Sequence, residues 1–493
     1  MNNRPLQLFL TPFALDSRYQ ITSWLFLKLL ALVYAIAFVS LAVQIVGLVG
    51  EQGILPVTEL LEEVRQRHGY EAWMRLPTLF WLNDSDWFLL LVSWSGCAIA
   101  LLVFFGKMNR IALIGLFVLY LSLFHAGQTF LSFQWDTLLL ESGFLAIFIY
   151  RNPSYLMIFL YHWLLFRVRF LSGLSKLISG DPTWSGLTTL NYYFETQPLP
   201  HIGAWYAHQL PEWLLKAGTL GVLFMELIVP FFIFLPRPFR IFAAISTILL
   251  QLIIIATSNH NFINLLTILL CLFLLDDKIL SKFLPQWLLK KTDIQITQIT
   301  TSIWDIKKWL SGTMAVLLVI ISLSQIYWYV FNQPLQPPFR NIAVIGPRFG
   351  FGNVYHVFPT MQTERQEYQI EGSYDGETWY AYQFKFKPGP LSQAPRFNVP
   401  HQPRLDWMIW FVPPQFAEMN EFFERLMHRL WRNEQSVTAL LAHNPFQGME
   451  PPKYLRVLVF RYQFTNVQER EETGNWWKAE YLGVYPNVPR RMP

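Results

Sequence analysis

The sequence predicts a polytopic α-helical membrane bundle of about nine spans, with re-entrant segments as the alternative for some, followed by a soluble, β-rich α+β C-terminal domain. Three observations predict it. Of 493 residues, 53% are hydrophobic and only 14% charged, whereas soluble domains are nearer a quarter charged. Long apolar runs recur up to residue 331 and then give way to short alternating ones. Basic residues gather beside the apolar runs, on alternate loops. The division is a membrane domain at 1–331, a proline-rich linker NQPLQPPF at 332–339 and an extracytoplasmic domain at 340–493.

The elements follow in order. The run Trp24–Ile45 is too long for the apolar part of a signal peptide, and no small-residue cleavage site follows it. It predicts an uncleaved first helix. TELLEEVRQ, within 50–85, predicts a short amphipathic helix lying on the surface. Further spans are predicted at about 87–105, 110–125, 130–150, 154–178, 213–235, 239–257, 261–277 and 312–331. The third and fourth share a tight turn at His125–Gln128. Pro230 and Pro236 predict a kink or an end to the sixth.

Charge orients the chain. With the N-terminus in the cytoplasm, the inner side collects Arg4, Arg18, Lys107, Arg110, Arg151, Arg237, Arg240, Lys278, Lys282, Lys290, Lys291, Lys307 and Lys308. The outer loops before the last span hold only Arg65, Arg67 and Arg75. This satisfies the positive-inside rule and puts 180–212, and everything after 332, outside. The net charge of +5 is modest and fits membrane topology, not nucleic-acid binding.

The stretch from Phe130 to Trp213 carries charges that hydrocarbon tolerates poorly: Asp136, Glu141, His162, Arg167, Arg169 and Lys176. Each costs about 2.5–3.5 kcal/mol at a helix centre on the mildest scale, so they must pair or line a wet cavity. His162, Arg169 and Lys176 recur every two helical turns on one face. Ser172 and Gly173 share that face and are small enough to admit a neighbouring helix. Depth counting predicts the pairs Glu141–Arg169 and Asp136–Lys176. It also puts Glu226, in the sixth span, level with His162. Asn259, Asn261 and Asn264 enter the eighth span from outside, where amides hydrogen-bond between helices. A structural ion-pair cluster and a functional site are equally open readings.

The outer segment 180–213 holds Asp181, Glu195, His201 and His208. The last three are metal-ligand types, but their spacings match no ligand signature. Packing against the C-terminal domain is predicted instead. Trp205, Tyr206 and Trp213 fit an interfacial aromatic belt. Asn83-Asp84-Ser85 is a glycosylation acceptor on the predicted outer side.

Beyond the linker, EYQIEGSYDGETWYAYQFKFKPG (367–389) and YLRVLVFRYQFT (454–465) alternate as strands, with Tyr-Asp-Gly as a hairpin signal. The stretch 416–446 has helical periodicity. In PHQPRLDW, an extended backbone would put Arg404 and Asp406 on one face as an internal salt bridge. The sharper reading takes His401, Arg404, Asp406 and Trp407 as a client-binding surface.

Catalytic motifs are missing from the sequence: there is no GxSxG, HExxH, P-loop or GxGxxG opening a helix. FGFG (349–352) reads as a turn. Cys97 and Cys271 lie in apolar runs without CxxC spacing, which supports neither disulfide nor zinc chemistry. No cofactor and no metal is predicted.

FQWDTLLLESGFLAIF (133–148), FRVRFLSGLSKLISGDPTW (166–184) and NYYFETQPLPHIGAWYAHQLP (191–211) closely resemble lipase maturation factors. So do GILPV (53–57), LPTLFWL (76–82), VPHQPRLDWMIWFVPP (399–414) and GNWWKAEYLGVY (474–485). TSNHNFINLLTILLCLFLLDD (257–277) also matches, except that His260 stands where the family leads one to expect an aromatic residue. The resemblance implies a membrane protein of the endoplasmic reticulum, or of the inner membrane in a bacterium. It implies help in the folding and assembly of secreted clients, lipases among them, and a non-enzymatic factor is the favoured of two open readings. The alternative is a membrane-embedded enzyme or lipid handler using the charged cluster. Its layout is distantly similar to that of vitamin K-dependent carboxylases.

Overall fold

The computed structural model describes residues 16–107, 109–150, 153–260, 262–287, 306–333, 335–412 and 421–486. The first helix, α1 (Gln20–Ala42), lies at the centre of the bundle, with Phe26, Leu30, Tyr34, Phe38 and Leu41 buried. Its N-terminus is closed by Asp277, whose carboxylate accepts the backbone N–H groups of Gln20, Ile21 and Thr22 at 2.9, 3.0 and 2.9 Å. Unpaired amides and the helix dipole both favour an anion there. The amphipathic stretch forms α2 (Val57–His68), which buries Val57 and Leu61. It also meets the C-terminal domain, because Arg425 Nη1 donates to Glu59 Oε2 at 2.5 Å.

The remaining predicted spans are helical too: α3 (Asp86–Phe104), α4 (Arg110–Ala126), α5 (Gln134–Ile149) and α6 (Tyr155–Ile178). In the outer segment come α7 (Thr189–Thr196) and α8 (Ile202–His208). Then follow α9 (Glu212–Leu227), α10 (Arg237–Thr257), α11 (Ile263–Cys271) and α12 (Ile306–Phe331). Helix α9 stops before Pro230, a 3-10 turn at Val229–Phe234 follows, and Pro236 caps α10. Among the described residues, six stretches are long and apolar enough to cross a membrane: Ser17–Ala42, Asp86–Phe104, Tyr155–Ile178, Glu212–Phe234, Arg237–Thr257 and Leu310–Phe331. Arg110–Ala126 and Ile263–Leu274 are apolar but shorter. Helix α5, with 16 residues, is also short and carries two carboxylates. Six full-length spans among the described residues fall short of the predicted count of about nine; the other three predicted spans are shorter helices. Burial separates them: 78% of the apolar window of α6 is enclosed by protein, against 22% for α10.

After the linker, residues 339–348 form a helix that the sequence reading did not foresee, α13 (Phe339–Arg348). It lies against α12, where Gln325 Nε2 donates to the Ala343 carbonyl at 2.6 Å. FGFG then turns the chain. Gly350 and Gly352 have φ of +76° and +71°, and a Cβ at either would sit 2.8 Å from Leu140 or 2.4 Å from Ile321. Only glycine suits both the left-handed backbone and the close approach. The C-terminal sheet is antiparallel. It comprises β1 (Arg365–Ser373), β2 (Tyr380–Ala381), β3 (Tyr454–Phe464) and β4 (Trp477–Val484), in the order β2-β1-β3-β4. The Tyr-Asp-Gly hairpin forms as predicted. Asp375 accepts the N–H groups of Glu377 and Thr378, both at 2.8 Å, and these bonds hold its carboxyl well below the usual range. The stretch 404–409 is not extended; it forms α14 (Arg404–Ile409). The predicted helix within 416–446 appears as α15 (Glu421–Trp431), burying Phe422, Phe423, Leu426 and Leu430.

Candidate functional site: an ionic seam between bundle and C-terminal domain

Asp136 stands in the first turn of α5, where the helix dipole favours a carboxylate. Tyr120 of α4 donates its hydroxyl to Asp136 Oδ1 at 2.6 Å. Arg404, at the start of α14, donates both guanidinium arms to the same carboxylate, Nη1 to Oδ2 and Nη2 to Oδ1, each at 2.7 Å. Arg404 and Asp136 are 1% and 0% exposed. This planar two-pronged geometry is the strong form of a charged hydrogen bond. Arg404 also donates to the Phe130 carbonyl at 2.9 Å, and its backbone N–H donates to Gln44 Oε1, just beyond the end of α1, at 2.9 Å.

Further along α5, Glu141 pairs with Arg167 of α6. Tyr355, fully buried, donates its hydroxyl to Glu141 Oε2 at 3.0 Å, and Arg167 Nη1 donates to the Asn353 carbonyl at 3.3 Å. Lys176 Nζ donates to Glu226 Oε2 at 2.7 Å, to the Ser172 carbonyl at 3.0 Å and to the Val357 carbonyl at 2.8 Å. Arg169 Nη2 lies 3.4 Å from Glu226 Oε1. Asp136, Glu141, Arg167 and Lys176 therefore each reach a partner from beyond the linker. The segment 353–358, released by the glycine turn, runs among the helices and supplies three of those contacts.

These contacts correct several expectations. Glu141 pairs with Arg167, not Arg169. Asp136 pairs with Arg404, not Lys176. Depth counting within the bundle could not foresee that a distant segment supplies Arg404. Glu226 takes Lys176 and Arg169, whereas His162 donates from Nε2 to the Phe273 carbonyl at 2.7 Å. Arg404 and Asp406 form no salt bridge. On the helical α14 they do not share the extended face, and Asp406 accepts the N–H groups of Phe386 and Lys387 at 2.6 and 3.0 Å. Burial pushes the Asp406 carboxyl up. Three of the four motif residues are enclosed in the seam, and His401 is half-buried. Arg404, Asp406 and Trp407 are buried, and His401 Nδ1 meets Ser40 Oγ at 3.0 Å across the seam. Burial, seconded by Arg404 and Lys385, pushes His401 down to about 4.

The outer segment joins the same seam. Asp181 caps a short turn through the Thr183 N–H at 2.8 Å and accepts the Met361 N–H at 2.9 Å. Glu195 accepts the Phe464 N–H at 2.6 Å, and burial raises its carboxyl. His208 stands 3.9 Å from Glu195, with burial lowering its imidazole. His201 turns away to the Ile255 carbonyl at 3.2 Å. Among the described residues no group of three or more His, Cys, Asp or Glu is placed to hold a metal ion. Trp205 is buried against Trp476, 5.3 Å between ring centres, and does not belong to an interfacial belt. Tyr206 and Trp213 are exposed.

Of the three asparagines, Asn259 bridges loops, not helices. It donates to the carbonyls of Leu199 and Arg396 at 3.0 and 2.8 Å and accepts the Asn398 N–H at 3.1 Å. Asn264 is buried in α11, and Asn261 lies outside the described residues. Tyr120, Tyr355, Ser40 and Gln44 were missed from the sequence. The only available signal was a polar tip within, or just before, an apolar stretch.

Comparison with known proteins agrees with this layout. Residues 21–282 match the family model described as the lipase maturation factor transmembrane domain, and residues 351–487 the lipase maturation factor C-terminal domain. The mouse protein "Lipase maturation factor 1" is 34% identical, over 95% of this chain and 87% of its own. The human protein of that name is 31% identical over the same shares. "Lipase maturation factor 2" of Xenopus laevis is 33% identical, over 91% of this chain and 80% of its own. No solved structure matches. With its apolar helices and both family domains in order, the chain is an integral membrane protein that belongs to the lipase maturation factor family.

Proposed function

We propose that this protein is a membrane-anchored maturation factor that assists the folding or assembly of secreted client proteins, a lipase among them. The observation that carries this reading is the seam. Asp136, Glu141, Arg167 and Lys176, which a chemical site would need free, are engaged with the chain beyond the linker and support one orientation of a water-soluble β domain. A client would meet that domain as part of a rigid platform. The names of the relatives supply the client class.

The charge asymmetry of the loops supports a cytoplasmic N-terminus, with segment 180–212 and the C-terminal domain extracytoplasmic. Nine helices crossing the bilayer would give that arrangement, the shorter ones being enclosed by their neighbours. The compartment is the endoplasmic reticulum membrane in a eukaryotic host and the inner membrane in a bacterial one. No cofactor enters this reading.

The test is co-expression of the full chain with a secreted lipase in cells lacking their own maturation factor. Active lipase in the medium should rise, and the chain captured from those cells should carry newly made lipase. Lipase activity equal to the empty-vector control would contradict the proposal.

A further inference from the structure

A cavity of about 400 Å³ lies between α6, α9, α10 and α11. That is within the range of about 300–1,000 Å³ seen for small-molecule sites. Its wall is mostly apolar, including Val222 and Met225 of α9 and Leu250 and Ile254 of α10. Leu249 and Ile253 also line it, yet are 57% and 52% exposed, so the cavity opens through the outer surface of α10. In a membrane-spanning helix that surface faces acyl chains.

The lining also carries Glu226 and several hydroxyls, but its unpartnered polar atoms are of one kind. Arg169, Gln251 and Asn264 all line the cavity and are 6%, 2% and 3% exposed. Arg169 Nε and Nη2, Gln251 Nε2 and Asn264 Nδ2 have no hydrogen-bond partner. All are N–H donors, and buried donors without acceptors are rare and costly. Charge points the same way. Arg169 and Lys176 face one carboxylate, Glu226, and Lys176 is already held by Glu226 and two carbonyls. One positive charge is left in a pocket whose free donors lack acceptor oxygens.

We propose that this cavity binds an anionic amphiphile. Its carboxylate or phosphate oxygens accept from Arg169 and Asn264, and its acyl tail lies along Gly221 and leaves between α9 and α10. Gly221 marks the tail path, because a Cβ there would meet no atom within 4 Å. This goes beyond the client reading and does not depend on it, since binding is measured on the purified chain with no client present.

The experiment places the full chain in nanodiscs of phosphatidylcholine and adds one of three photoactivatable probes of equal chain length: a fatty acid, a phosphatidylglycerol or a fatty alcohol. The fatty acid or the phosphatidylglycerol should label peptides from α9 and α10 about tenfold more than the alcohol, as loss of a charged hydrogen bond predicts. Whichever acid labels identifies the source of the anion. Arg169→Gln should bring labelling down to the alcohol level. Gly221→Phe should remove it while keeping the pair-held core, because the new side chain enters open space. Unlabelled oleate or phosphatidylglycerol should compete on the unaltered protein, which tests the site without any variant. Equal labelling by acid and alcohol, or acid labelling that neither Gly221→Phe nor competitor reduces, would overturn the proposal.

Discussion

Asp136 and Arg404, 268 positions apart in the chain, face each other through two parallel hydrogen bonds of 2.7 Å with almost no solvent at either side chain. One belongs to a helix of the bundle and the other to the C-terminal domain. Removing one member of such a pair leaves a bare buried charge, at about 3–5 kcal/mol. Arg404→Met and Asp136→Leu should each free the C-terminal domain, seen as new protease cleavage between 332 and 412 in detergent. The double change should be less damaging than either single one, because two apolar side chains fill the site without an orphan charge. Wild-type protease resistance in both single variants would show that the domain is held elsewhere.

Tyr355 and Glu141 allow a graded test. Tyr355→Phe removes one hydroxyl from a carboxylate still paired with Arg167, so it should cost about 1 kcal/mol. Glu141→Ala strands Arg167 and should cost about 3–5 kcal/mol. Thermal unfolding of the purified protein gives the comparison. A larger loss for Tyr355→Phe than for Glu141→Ala would refute the assignment.

Gly173 sets the approach of α9 to α6. A Cβ there would lie 2.8 Å from Glu226 Cβ and 2.9 Å from its backbone carbonyl carbon. Gly173→Ala should cost about 1–3 kcal/mol by overpacking, and Gly173→Leu should cost more. Gly221→Ala, on α9 itself but beside open space, should leave the unfolding temperature nearly unchanged. Similar losses at the two glycines would contradict the packing described.

His401 gives the seam a pH dependence. Its folded value of about 4 lies below the ordinary 6.5. As pH falls, the unfolded chain takes the proton first, so stability must fall. The contribution is complete above 6.5, declines between 6.5 and about 4, and is level below that. His401→Gln keeps a polar partner for Ser40 but cannot titrate. From above 6.5 to near 4, the unaltered protein should lose more stability than this variant. Identical losses would remove His401 from the account.

Much of this was legible beforehand. Ser172 and Gly173 were read as a close-approach face, and Gly173 does admit α9. Asp136, Glu141, Arg167, Arg169 and Lys176 were read as paired or lining a wet cavity, and their side chains are buried among ionic partners. Within the bundle, depth counting was too coarse to choose between Arg167 and Arg169 for Glu141 or to pair Glu226 with Lys176; the other partners were missed for a different reason. Helical periodicity and depth relate residues within the bundle, while Arg404, Tyr355 and the Val357 carbonyl arrive from beyond the linker, where no local pattern encodes insertion. The same gap explains His401, Asp406 and Trp407. A dense Arg, Asp and Trp motif reads as a surface until its counterpart in α5 is known. Trp205 likewise looked interfacial because Trp476 lies far along the chain.

The most direct measurement is a double-mutant cycle on Asp136 and Arg404, read as the unfolding free energy of the full chain in one detergent. If the bundle's buried charge holds the C-terminal domain, the two substitutions are strongly non-additive, with a coupling of at least about 1.5 kcal/mol. Additive losses, with a coupling near zero, would mean that these side chains lie together without joining the two parts of the protein.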